Sequence, residues 1–95
     1  MEIEFEAEIW KWQGPSPWYF VSISEEQSRE LKAVLGLVTP GWGMIPAEVR
    51  IGKTRWKTSL YPKDGHYDLP IKASVRAAEH LDEGDRVTVR LLVRL

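Results

Sequence analysis

The residues of this chain that could do chemistry are few. His66, Tyr67 and Asp68 are consecutive, so in an extended strand the imidazole and the carboxylate point to the same side. Ser59 lies on the preceding strand, and a serine, histidine and aspartate arrangement for nucleophilic catalysis can be drawn from the three. No nucleophile-elbow sequence surrounds Ser59, and His66 follows Gly65 at a turn, where a polar residue is expected on structural grounds alone. Gly52-Lys53-Thr54 matches the end of a phosphate-binding loop, but the first glycine of that motif would fall on Ala47, and the residues between alternate as a strand does. Glu2, Glu4, Glu6 and Glu8 are spaced too evenly along a strand to wrap a hard cation. A solvent face, or pairing with Arg86, Arg90 and Arg94 across neighbouring strands, suits them better. With no Cys and two His, no thiolate zinc site or cysteine nucleophile exists. No catalytic residue, metal site or cofactor is assigned from the sequence.

The elements that must position these side chains follow from periodicity. Ile3, Phe5, Ala7 and Ile9 alternate with the four glutamates as a half-buried strand, and Trp18 to Ile23 reads as a second strand after the breaker run Gly14-Pro15-Ser16-Pro17. Ser24-Glu25-Glu26-Gln27 has the spacing of a capping box. The helix it starts carries Leu31, Val34 and Leu35 on one face and ends at Gly36. Ala47, Val49 and Ile51 form the first arm of a hairpin that turns at Gly52-Lys53 in type II′ geometry, with Thr54 to Tyr61 as its second arm. Pro62-Lys63-Asp64-Gly65 is a turn by composition, and Tyr67, Leu69 and Ile71 alternate beyond it. A second short helix takes Lys72 in its first turn and Ile71, Val75, Ala78 and Leu81 at helical spacing. Asp82-Glu83-Gly84-Asp85 then leads to a strand with Val87, Val89, Leu91, Val93 and Leu95 on one face. The expected core is Ile3, Phe5, Ile9, Leu31, Val49, Ile51, Leu69, Val75, Val87, Val89 and Leu91.

Ninety-five residues make one domain, spanning 1–95. About six strands and two short helices, with no room for crossover helices, predict a mainly β fold: a largely antiparallel, closed or nearly closed barrel whose ends the helices cap. The acidic N-terminus and the short apolar runs predict a cytoplasmic, untethered protein with no membrane contact. The net charge of -1 hides a split. Lys11, Arg29 and Lys32 face eight Glu through Glu48, whereas ten basic residues face six acidic ones from Val49 onward. The two halves are expected to complement each other within the fold.

Five Trp invite a carbohydrate platform or a single-stranded nucleic-acid surface. For Trp10, Trp12, Trp18 and Trp56, in or beside strands, packing in the core or at the barrel rim is the expectation. Trp42, between Gly41 and Gly43, either plugs the barrel end or projects into a site.

Leu69-Pro70-Ile71-Lys72, Val75-Arg76, Leu81, Gly84-Asp85 and Val87-Thr88-Val89 together resemble the strand, helix, Gly-Asp turn and strand of swapped-hairpin AbrB-type regulators and MazE-type antitoxins. Gly41-Trp42-Gly43, Ile45-Pro46, Val49-Arg50-Ile51-Gly52 and Trp56 to Pro62 narrow the match. Nearly the whole chain resembles the bacterial and archaeal family known as domain of unknown function nineteen-oh-five. That resemblance implies a double-split β-barrel capped by helices and no established activity. It carries over Trp42, Arg50, Trp56, Ser59, Pro70, Lys72, Arg76, Gly84 and Asp85.

Three functions follow as expectations. The first is a noncatalytic binding or interaction domain for an anionic small molecule or an acidic peptide, using Trp42, Lys72, Arg76, Ser59 and Arg50. Lys72 and Arg76, four residues apart, would present paired cations at the start of the second helix. The second is an AbrB-like nucleic-acid-binding regulator using Arg50, Arg55, Lys57, Lys72 and Arg76, disfavoured by the net charge. The third is a small hydrolase or isomerase around Ser59 and His66.

Overall fold

The computed structural model describes residues 1–35 and 43–93. Among these residues the chain forms β1 (Glu2–Glu8), β2 (Trp10–Lys11), β3 (Tyr19–Ser22), α1 (Glu25–Leu35), β4 (Ile45–Ile51), β5 (Thr54–Lys63), β6 (His66–Pro70), α2 (Ala73–Glu79) and β7 (Arg86–Leu92). The strands make one antiparallel sheet in the order β1-β7-β4-β5-β6-β3-β2. The fold is mainly β with two short helices, as the alternation predicts.

The expected closed or nearly closed double-split barrel of about six strands is corrected to a seven-stranded half-barrel that is not closed. Its two outermost strands are successive parts of one extended run, broken at Ile9. That residue leaves the ladder to donate its N–H to the Asp85 carbonyl and to accept from the Gly84 N–H, both at 2.8 Å. Before the break all seven residues of β1 pair with β7; after it the two residues of β2 pair with β3. The run thus changes partner, and no ladder joins the two ends of the sheet among the described residues. β5 bridges the halves in the opposite way. Its first part, Thr54 to Leu60, pairs with β4, and its last three residues pair with β6.

Alternation sets the core. Ile45, Ala47, Val49 and Ile51 of β4 and Val87, Val89 and Leu91 of β7 are buried, as are Val21, Ile23, Leu31, Leu60, Leu69 and Val75. Of the expected core residues Phe5 alone is only partly buried, packed against the edge of the cluster. At α1 the Gln27 N–H donates to Ser24 Oγ at 3.1 Å, which is the expected cap. The reciprocal contact differs: Gln27 Oε1 meets the Ser24 hydroxyl, at 3.5 Å, instead of the backbone N–H. Ser28, fully buried, ties the helix to the sheet by donating to the Ile23 carbonyl and accepting from the Tyr67 N–H. The turn after β5 is tighter than its composition indicated. Pro62 and Lys63 stay in the strand opposite Tyr67 and His66, and Asp64 and Gly65 alone make the turn at φ of 49° and 84°, the pair of positive values a type I′ hairpin needs.

Burial holds the Tyr67 phenol above its ordinary value of 10.0. Folding therefore favours its neutral form. The stability it contributes is full below the unfolded value and is lost as pH rises through the folded one, because the unfolded chain releases its proton first. Tyr67→Phe should flatten the alkaline fall in stability relative to the parent, measured by urea denaturation from about pH 9 to about pH 11. Parallel falls in both proteins would refute it.

Candidate functional site

The two-residue turn at Gly52-Lys53 fixes the register of the β4–β5 hairpin, placing Ile51 opposite Thr54 and Arg50 opposite Arg55. On its other side Arg50 lies opposite Arg90 of β7, and Arg90 in turn lies opposite Glu4 of β1. One row across four strands thus reads Glu4, Arg90, Arg50, Arg55. All four are on the face away from the buried Val49 and Leu91. Like charges directly opposite one another across strands repel, and this row has two such pairs with one acid at its end.

The ion pairs that reach β7 from β1 are long. Arg90 Nε stands 3.8 Å from Glu4 Oε2, with more than half of each side chain exposed, and Arg86 Nε stands 3.6 Å from Glu6 Oε2 in the same condition. Exposed pairs at such separations contribute little. Both belong to the pairing expected between the glutamates and Arg86 and Arg90; Arg94 lies outside the described residues. Arg50 Nε donates to the Gly52 carbonyl at 3.0 Å, which steadies the guanidinium. A groove of about 550 Å³ runs beside the row, edged by Arg50, Arg55, Lys57 and Arg90 against Glu2 and Glu48. A smaller hollow of about 260 Å³, reaching Gly52 and Thr88, touches Arg50 and Arg90 from the other side.

Among the described residues expected to bind a ligand, Arg50 alone lines this groove; Ser59, Lys72 and Arg76 do not. Ser59 is half-buried opposite Pro46. Lys72 is exposed and immediately precedes α2, where its carbonyl accepts from the Val75 and Arg76 N–H groups. Arg76 turns away to lie 3.7 Å above the centre of the Tyr19 ring, with Nε 3.4 Å from the Ile71 carbonyl. Trp42 lies outside the described residues. Arg90 enters the row although its sequence reads only as a partner for glutamate. No local signal reveals that β7 lies beside β4.

The other sequence candidate also changes membership. His66 Nε2 does meet Asp68 Oδ1, at 2.9 Å, but the serine beside them is Ser22 of β3 and not Ser59. Ser22 Oγ donates to Asp68 Oδ1 at 2.7 Å and accepts from Trp10 Nε1 at 3.0 Å. The hydroxyl is directed at the carboxylate, whereas nucleophilic catalysis needs it against the imidazole. The indoles also depart from expectation. Trp10 and Trp56 are half-buried, but Trp12 and Trp18 are 40% and 49% exposed.

Fold and site together define a small antiparallel half-barrel that presents a cationic row on its outer face. The model of the family described as Domain of unknown function (DUF1905) matches residues 5–91, so the chain belongs to that family. No curated protein matches it. Among the described residues no helix is long and apolar enough to cross a membrane.

Proposed function

We propose that this domain is a noncatalytic binding module for a compact polyanion, an oligophosphate or polycarboxylate small molecule, held by Arg90, Arg50 and Arg55. The observation that carries the reading is the direct opposition of three arginines on three adjacent strands. Such a row is costly unless negative charge sits over it, and the planar guanidinium matches phosphate and carboxylate groups two hydrogen bonds at a time. The groove adds Lys57, giving four basic side chains against two acidic ones.

The dimensions favour a small ligand over a nucleic-acid duplex. Three adjacent strands span two inter-strand spacings, roughly 10 Å, and the next strand carries Glu2, Glu4, Glu6 and Glu8, all exposed. A duplex laid on the row would bring phosphates against those carboxylates.

Calorimetric titration with tripolyphosphate and with citrate at low salt tests the proposal. One of the two should bind, weaken as salt is added, and weaken about ten- to a hundredfold in Arg50→Ala, the loss of one charged bidentate contact. No binding of either, or equal binding by Arg50→Ala, would refute it. Tighter binding of duplex DNA than of both small anions would replace it with the nucleic-acid reading.

A further inference from the structure

The opposite end of the sheet carries a second constellation, separate from the arginine row. Trp10 pairs with Phe20, and the backbone bond from the Trp12 N–H to the Trp18 carbonyl extends the same ladder by one step. Side chains two residues apart share a face, so Trp10, Trp12, Trp18 and Phe20 stand together. The rings are held in place. Trp10 and Trp18 both stack on Phe20, at 5.0 and 6.4 Å between centroids and within 26° and 19° of parallel. Trp12 lies over Gly14 so closely that a Cβ there would overlap the indole. Two large aromatic surfaces are thus fixed and yet substantially exposed.

Continuing along β3 on the same face, Ser22 lies opposite Asp68 of β6, and Asp68 lies opposite Tyr61 of β5, itself 40% exposed. Asp68 is 4% exposed, and both of its side-chain hydrogen bonds, accepted from Ser22 Oγ and from His66 Nε2, fall on Oδ1. Neither bond falls on Oδ2. From Trp18 to Ser22 is four residues, roughly 13 Å of strand, so aromatic platform and polar cluster lie in line at a separation greater than one sugar ring.

Charge decides among the ligands such a face could take. The Asp68 carboxylate opposes a phosphate-bearing strand. Lys63, whose ammonium lies 6.0 Å from the centre of the Trp10 ring, opposes an organic cation. A neutral ligand with an apolar ring face for stacking and hydroxyls to donate to a carboxylate meets both conditions. We infer that the Trp12 and Trp18 platform with the Ser22, Asp68 and His66 cluster is a binding face for a neutral oligosaccharide. The inference stands independently of the polyanion reading, since the two sites share no residue.

The test is tryptophan fluorescence and calorimetric titration of the whole protein with cellohexaose, chitohexaose and maltohexaose, with a single-stranded oligothymidylate as the competing class. At least one hexasaccharide should bind and perturb the fluorescence. Affinity should drop about tenfold in Trp18→Ala, which removes an exposed ring, and likewise in Gly14→Ala, which displaces Trp12 without touching the ligand. Arg50→Ala should bind the sugar as the parent does. Failure of all three sugars to bind, unchanged affinity in both platform variants, or preference for the oligothymidylate would overturn the inference.

Discussion

Tyr67→Ala should destabilise the protein by about 3 to 5 kcal/mol, as truncation of other large buried aromatics does. Tyr67 is the largest of the fully buried side chains, and it sits in β6 at the point where α1 is fastened to the sheet through Ser28. The backbone bond to Ser28 Oγ survives the substitution, and the loss includes transfer of the ring to water and the cavity left behind. A domain of this size has roughly 5 to 15 kcal/mol to lose, and the urea midpoint should fall accordingly. The contrast is Tyr61→Ala on the neighbouring strand, where the residue is 40% exposed and the loss should be clearly smaller, about 1 kcal/mol. Equal losses at the two positions would show that the ring of Tyr67 is not the core element its burial makes it.

What could be read in advance was what local physics controls. The four strands with strict alternation, the Ser24 cap and the hairpin at Gly52 each follow from residues within a few positions of one another. Half of the arginine row was equally legible, because a two-residue turn at 52–53 leaves Arg50 no partner but Arg55. Arg90 was not, since its place beside Arg50 depends on β7 lying next to β4, a pairing across some forty positions that alternation does not encode. Ser22 escaped for the same reason: Ser59 is the nearer serine in sequence to His66, and Ser22 reaches Asp68 only because β3 pairs with β6. Closure failed as a prediction because it too is a long-range property. The polar and apolar pattern of residues 2–11 is continuous in character through Ile9, and only the backbone bonds of Ile9 to Gly84 and Asp85 show where the run changes partner. The tryptophans mark a further limit. Strand propensity places Trp12 and Trp18 in or beside strands without saying how much of each indole is exposed.

Gly52→Ala should cost about 2 to 4 kcal/mol through two separable effects. Gly52 has φ of 58°, and an L side chain there is worth roughly 1 to 2 kcal/mol of strain. The added Cβ would also meet Glu79 Oε1. Glu79 is held from the far side by Thr54, whose Oγ1 donates to Oε2 at 2.6 Å, so moving the carboxylate aside loosens the contact by which the end of α2 is joined to the hairpin. A double-mutant cycle divides the total. In a Glu79→Ala background the obstacle is gone, and Gly52→Ala should cost only the backbone term, about 1 to 2 kcal/mol. The same cost in both backgrounds would mean that the carboxylate swings away freely. The cycle also reaches the arginine row, because the Gly52 carbonyl accepts from Arg50 Nε. A turn pushed off Glu79 shifts the acceptor that steadies this guanidinium, so tripolyphosphate affinity should weaken in Gly52→Ala and recover in the double variant. Recovery distinguishes a displaced turn from strain confined to residue 52, since backbone strain persists whether or not Glu79 is present.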